Sequence, residues 1–399
     1  MDRRKFIKKS GTVSAVLLGT SSILAGVSYG LTNDKNINIA IIGTGDRGKG
    51  LMPLLNSIEN VTLYACCDII PFRLEEGLKR AGKNVKGYSD YKELLKDKAI
   101  DAVIVSATFS MHDEIAKAAV KANKHVYCEK TLAKGYDGII DLLNSTKSSS
   151  KIFQSGHQYH CSKLYEHIVD LIKNGKVGKI AAFECQWNRN GNWRRKVDNP
   201  EMERIINWRM YKEYSGGLIA ELCSHQIDFV NWVLEATPEK VMGTGGVDYW
   251  KDGRETYDNV HLIYSYPNGV NAKFSCLTSN ANEGYQIKIM GDKGTILLDY
   301  DKATFYPEGK TKAVQQDVDG VSGATAKAKY GYGVPINIEH EEPTKQAMID
   351  FRDNILNNTM PKSNVISGAK AAICVQMGLD AMYNETIVHW DPKFNNLGN

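Results

Sequence analysis

Three short clusters in this sequence hold residues of types and spacings that do chemistry. Glu129-Lys130 sets a carboxylate beside an amine at the end of an apolar run, and Glu221-x-x-x-His225-x-x-Asp228 follows Gly216-Gly217. Residues three and four apart on a helix share a face, so Glu221, His225 and Asp228 are expected side by side. A carboxylate next to an imidazole holds one tautomer and keeps its basicity near neutrality, as general acid–base work requires. The third cluster, Gly43-Thr44-Gly45-Asp46-Arg47-Gly48, works through its backbone. Its first glycine permits a tight turn, its second lets main chain approach a pyrophosphate, and its third lets a helix pack closely on the preceding strand. The helix that follows offers free N–H groups to phosphate.

These clusters need elements to position them. Ile37–Ile42 reads as a buried strand, residues 49–58 as a helix despite Pro53, and Val61–Cys67 as a second strand ended by Asp68. Asp68 lies where an acid binds the adenosine ribose hydroxyls. Its carboxylate favours NAD over NADP, although Arg73 nearby keeps NADP open. Residues 101–107 and 125–128 are further apolar strands, with a helix carrying Ile115, Ala116, Ala119 and Val120 between them. Alternating strands and helices imply a doubly wound parallel sheet of Rossmann type, whose ligand lies beyond the carboxyl ends of the strands. The loops at 43–48, 68–73, 108–112 and 129–132 then surround one dinucleotide, which makes Gly43, Thr44, Gly45, Arg47, Gly48, Asp68, Thr108, His112, Glu129 and Lys130 the cofactor candidates. After residue 156 the pattern changes to an α+β domain with a large, mainly antiparallel open sheet. A helix is expected over 161–173 and a strand over 180–187. Hairpins turn at Pro267-Asn268-Gly269 and Gly291-Asp292-Lys293-Gly294, a surface loop spans 307–335, and helices cover 340–357 and 364–384.

The chain opens Met1-Asp2-Arg3-Arg4-Lys5-Phe6-Ile7-Lys8-Lys9, followed by a weakly apolar stretch too short and too rich in Ser, Thr and Gly to anchor stably in a bilayer. It resembles a twin-arginine export signal, which predicts a periplasmic protein exported folded around its cofactor. The formal charge of +4 comes from this leader. The first thirty residues carry five Lys/Arg and one acid, leaving 45 basic and 45 acidic residues. A neutral body gives no electrostatic case for nucleic acid or a membrane surface. The eight cysteines form no Cys-x-x-Cys pair and read as buried thiols. His157 and His160 have metal-ligand chemistry but no evident third ligand, so no metal is assigned.

Taken in order, Gly-x-Gly-x-x-Gly, Glu129-Lys130-Thr131-Leu132 and Gly216-Gly217 with Glu221-x-x-x-His225-x-x-Asp228 resemble the Gfo/Idh/MocA oxidoreductases over residues 36–386. The resemblance implies a leader at 1–30, an NAD-binding Rossmann domain at 36–155, and a substrate and oligomerisation domain at 156–386 that forms a homo-oligomer through its sheet. It implies that Lys130 and His225 position a sugar hydroxyl and move its proton during hydride transfer, with Glu221 where the family has Asp. Gln158 is then placed at the nicotinamide ribose. Tyr159, Arg194, Trp208, Arg209 and Asp228 are placed at the carbohydrate substrate. The run from Trp187 to Arg195, with Asn207-Trp208-Arg209, mixes aromatic faces with cations, suiting either a saccharide pocket or an oligomer interface. Thr131 replaces the family's proline, which should relax its loop. A neighbouring branch, the NAD-dependent glycoside hydrolases, oxidises the sugar transiently, eliminates the aglycone, adds water and returns the hydride. Lys130 favours a plain dehydrogenase over that cycle, and a non-catalytic dinucleotide-binding protein is the third reading.

Overall fold

The computed structural model describes residues 35–308 and 333–398. The expected twin-arginine leader and most of the expected 307–335 loop lie outside them. Six parallel strands form the first sheet: β1 (Ile37–Ile42), β2 (Val61–Cys67), β3 (Lys86–Tyr88), β4 (Ala102–Val105), β5 (His125–Cys128) and β6 (Phe153–Ser155), in spatial order β3-β2-β1-β4-β5-β6. Along β1, Ile37, Ile39 and Ile41 enter one core, while Ala40 and Ile42 enter another on the opposite face. Burial on both faces is what a parallel sheet wrapped by helices demands. The strand order reverses between β1 and β4, so the ligand crevice opens at their carboxyl ends.

Five helices connect these strands: α1 (Asp46–Leu55), α2 (Pro71–Ala81), α3 (Tyr91–Lys96), α4 (His112–Lys121) and α5 (Tyr136–Thr146). Then α6 (Lys163–Lys173) leads into the second sheet. Its strands are β7 (Ile180–Trp187), β8 (Lys240–Gly246), β9 (Asn259–Ser265), β10 (Asn271–Leu277), β11 (Tyr285–Gly291), β12 (Gly294–Asp299), β13 (Lys302–Pro307), β14 (Val334–Ile336) and β15 (Val388–His389). All neighbours pair antiparallel except β7 and β10. On β9, Val260, Leu262 and Tyr264 are buried while His261 and Ile263 face outward, so one face is covered and the other open. The remaining helices are α7 (Glu203–Ile206) in the loop after β7, α8 (Ser224–Leu234), α9 (Pro343–Asn357) and α10 (Val365–Tyr383), of which α8 and α10 pack into the core on the covered face. By length and composition α10 alone among the described residues resembles a membrane span. Its apolar side chains are instead buried in the core of the second domain.

Packing does not follow the expected boundary at 155/156. Helix α9 returns to the first domain, where Ala347, Met348 and Phe351 join the core beneath β1 and Phe351 meets Tyr127 edge to face. Gln154 of β6 donates to the Ala347 carbonyl at 2.9 Å. The two domains are therefore sewn together behind the crevice.

Candidate active site

At the cofactor end the chain is shaped by what it leaves out. Gly43 has φ +96°, and a Cβ there would lie 2.6 Å from the Ser106 and Ala107 backbone. At Gly48 a Cβ would sit 2.1 Å from the Gly43 carbonyl, whereas at Gly45 it would meet nothing within 4 Å. Tight packing behind and open space in front leave a face on which main chain approaches a ligand. Gly45 precedes α1 without any side-chain cap, so the first N–H groups of that helix stay available to an anion. A cavity of about 220 Å³ lies against Gly43, Gly45, Arg47, Asp68, Arg73 and Thr108. These features fit a dinucleotide pyrophosphate and its adenosine.

Asp68 braces the loop there. Its Oδ2 accepts from the Thr44 backbone N–H at 2.8 Å and from the Thr44 hydroxyl, and its Oδ1 accepts from the Ile70 N–H at 2.9 Å. The carboxylate thus locks the glycine loop to the end of β2. The cavity has a roof from the second domain: Arg195, Ile205, Trp208 and Arg209 line it, and Arg195 is ion-paired with Asp46 at the start of α1.

A second cavity of about 300 Å³ adjoins the first, sharing Arg47, Trp208 and Arg209 with it. Glu129, Lys130, Gln158, Trp187, Arg189, Glu221 and His225 complete its chemically active lining. Lys130, at the end of β5, donates from Nζ to the carbonyls of Ala220 at 3.2 Å and Glu221 at 2.7 Å. Burial pushes its pKa down, against the pull of Glu221 and Glu129. His225 is buried on the first turn of α8, and burial, with Lys130, His157 and Arg47 nearby, holds its pKa well below the usual 6.5. At neutral pH it is a neutral imidazole. Burial alone would raise the Glu221 pKa, but Arg209, 2.8 Å away, and Lys130 outweigh it and keep the carboxylate ionised. Burial likewise disfavours charge on Arg47, yet Glu129 at 2.6 Å more than compensates.

The structure brings Lys130, Glu221, His225, Gln158, Trp208 and Arg209 to one cavity, and it corrects several expectations. Glu221 does not pair with His225. Residues 219–223 form a π-helical turn, which changes the angular offset between the two side chains, and Arg209 takes the carboxylate. Asp228 is buried behind the site, 2.9 Å from His160 Nε2, and meets no substrate cavity. Tyr159 is also buried, stacked on Tyr165 with its ring 5.0 Å from that of His225, so it supports that side chain from behind. Arg194 is held by Glu203 and Asp252 within the roof. Thr44 turns its hydroxyl inward to Asp68 and the Arg73 carbonyl. His112 reaches the cavity wall, but its Nδ1 and Nε2 face the carbonyls of Thr131 and Ala107 at 2.9 and 3.2 Å, making it a brace between two loops. Thr131 is buried, its carbonyl facing His112 Nδ1 and its hydroxyl donating to the Ala220 carbonyl at 3.4 Å. His157 donates to or accepts from Ser155, and His160 faces Asp228. The sequence reading missed the pair Arg47–Glu129 within the first domain, the domain-crossing pair Arg195–Asp46 and the bond from Arg209 to Glu221, none of which has a local signal.

Residues 37–157 match the model of the oxidoreductase family with an NAD-binding Rossmann fold, and residues 165–297 match the GFO/IDH/MocA C-terminal domain. The 2,7-anhydro-N-acetylneuraminate hydratase of Escherichia coli K12 is 26% identical over 84% of this chain and 87% of its own length. The myo-inositol 2-dehydrogenase of Thermotoga maritima is 26% identical over 67% of this chain and 77% of its own. Among solved structures, levoglucosan dehydrogenase in complex with NADH and levoglucosan superposes with a TM-score of 0.71, covering 90% of this chain and 100% of that one. At 18% identity, that superposition shows a common fold alone.

Proposed function

We propose that this chain, which belongs to the Gfo/Idh/MocA oxidoreductases, oxidises a ring hydroxyl of a sugar or glycoside with an NAD that it keeps bound. The observation that carries the reading is Lys130. From the first domain it reaches the carbonyls of the π-helical turn in the second, so the amine, His225 and the nicotinamide end of the crevice share one cavity. NAD, when bound, supplies the acceptor for the hydride that leaves the sugar carbon. Two of the three Lys130 donors are used on carbonyls, and the third is left for the hydroxyl oxygen of the substrate. Neutral His225 takes the hydroxyl proton as the C–O bond becomes a carbonyl. Glu221, ionised and held by Arg209, keeps Lys130 and the turn in register. Trp187 and Trp208 offer apolar faces for the C–H side of a sugar ring.

The roof over the first cavity supports retention of the cofactor, which would suit export of a folded protein by a twin-arginine leader to a periplasm that supplies no free dinucleotide. Protein purified without added nucleotide and then denatured releases NAD(H) at a large fraction of one per chain, and Arg195→Ala speeds NAD release a few-fold. Empty, weakly binding protein contradicts retention. The open outer face of the second sheet, with Met242 and Ile263 exposed, supports a homo-oligomer, which light scattering of the purified protein tests.

The hydratase among the relatives favours one alternative, a redox-neutral cycle of oxidation, elimination, addition of water and re-reduction. Mass spectrometry of products from a panel of glycosides separates the two. A keto-sugar or keto-glycoside supports the dehydrogenase, whereas free sugar with the cofactor back in its oxidised state supports the cycle.

A further inference from the structure

Resting on this reading of the cavity, we infer that the substrate is an anionic sugar whose carboxylate is received by Arg189. The first ground is the charge inventory of the cavity. Four permanently or commonly cationic side chains line it, Arg47, Lys130, Arg189 and Arg209, against two carboxylates, Glu129 and Glu221. Both carboxylates are already engaged, Glu129 by Arg47 and Glu221 by Arg209. Lys130 spends two of its donors on backbone carbonyls, and burial lowers its affinity for a proton. Of the four, Arg189 alone has neither a carboxylate nor a backbone carbonyl bonded to its side chain among the described residues.

The second ground is the company it keeps. The segment from 188 to 210 holds five arginines, and Arg194, Arg195, Arg204 and Arg209 are each bonded to a carboxylate of the protein. Their partners fix the roof. Arg189 differs although its main chain is equally fixed. Its N–H donates to the Leu277 carbonyl at 2.8 Å, and Asn188 and Asn190 on either side pair with Gly284 and Ser279. The guanidinium leaves this anchored base and lies 5.5 Å from the centre of the Trp187 ring, on the cavity wall. An exposed planar fork over an aromatic face beside a sugar-sized cavity is suited to a carboxylate in two parallel hydrogen bonds, with the sugar ring against Trp187. Uronic and ulosonic acids, or glycosides of them, are the substrate class this defines.

The test compares sugars that differ only in the acidic group, with NAD-loaded wild-type protein, Arg189→Met and Arg189→Lys. The pairs are methyl glucuronide and methyl glucoside, methyl galacturonide and methyl galactoside, and N-acetylneuraminate and its methyl ester. Binding is read by tryptophan fluorescence and turnover by reduction of the bound cofactor. In the wild type at least one acid binds more tightly than its neutral partner, with an affinity that falls as salt is added. A hydrogen-bonded charge pair is worth about a ten- to hundredfold preference, and Arg189→Met removes that ratio while Arg189→Lys restores part of it. Neutral partners that bind as well as every acid, or a ratio unchanged in Arg189→Met, overturn the inference. A glucoside 6-sulfate preferred over the acids overturns the carboxylate. Binding of an acid through Arg189 without reduction of the cofactor leaves the anion site standing and removes the dehydrogenase reading.

Discussion

The two ends of the crevice are built on different principles. The cofactor end is made of main chain: three glycines, the uncapped start of α1, and one carboxylate that ties the loop to β2. The end proposed for catalysis is made of side chains from the loop after β5, the turn before α8 and the loop after β7, positioned by Arg47–Glu129, Arg209–Glu221 and the bonds from Lys130 to Ala220 and Glu221. A main-chain site is sensitive to volume and tolerant of charge. A side-chain site is the reverse, and this contrast can be broken or sharpened by substitution.

The largest effect belongs to the catalytic end. A positioned proton-transfer group contributes on the order of 10²–10⁴ in rate, so Lys130→Met and His225→Ala each lower turnover by about that factor. His225→Ala keeps its NAD, since the glycine loop and Asp68 hold it from the other domain. Loss of NAD together with activity would erase the distinction between the two ends. Next comes a pair of alanine substitutions in the glycine loop. Gly48→Ala drives a methyl into the Gly43 carbonyl and lowers both NAD content and the melting temperature of NAD-free protein. Gly45→Ala meets only open space, so it lowers NAD content and leaves that melting temperature unchanged. Equal melting temperatures for the two variants would show that the loop is not packed as described.

How much of this was legible in the sequence follows the same division. The glycine loop, the strand before it, Asp68 and the boundaries of β7 are local, each set by a glycine, an apolar run or an alternation, and all were readable. The Glu221–His225 pair was misread because spacing of four residues implies adjacency only on a regular α-helix, and here a π-helical turn intervenes. Asp228 and Tyr159 were assigned to substrate by position, yet both serve the packing behind His225. Helix α9 was recognised as a helix, but its apolar face could not say which sheet it would cover. Arg194 and Arg209 looked alike in sequence, and only the carboxylates they meet separate a roof residue from a cavity residue.

Asp68→Ala sharpens the comparison from the cofactor side. Hydrogen bonds to a charged group are worth roughly 1.5–3 kcal/mol, so NAD affinity falls about ten- to a hundredfold and the preference over NADP narrows. Because Asp68 also holds the Thr44 N–H, Asp68→Asn recovers part of the affinity while the preference stays narrowed. An unchanged ratio of NAD to NADP affinity would detach Asp68 from the ribose. The smallest effect is a displacement of pH dependence. His225 acts as a base only when neutral, so activity is lost as pH falls through its folded-state pKa, which burial holds well below 6.5. The acid limb of kcat/KM therefore lies below pH 6.5, and a limb at or above neutrality would assign the proton to another group.

The most direct test mixes protein carrying its own NAD with a sugar panel in a single turnover and follows the near-ultraviolet absorbance of reduced nicotinamide. At least one sugar reduces the bound cofactor in the wild type, persistently for a dehydrogenase and transiently for the redox-neutral cycle, and Lys130→Met slows that reduction by at least a hundredfold on the scale of proton-transfer catalysis. Reduction at the wild-type rate in both Lys130→Met and His225→Ala, with NAD still bound, would contradict the assignment of chemistry to this cavity.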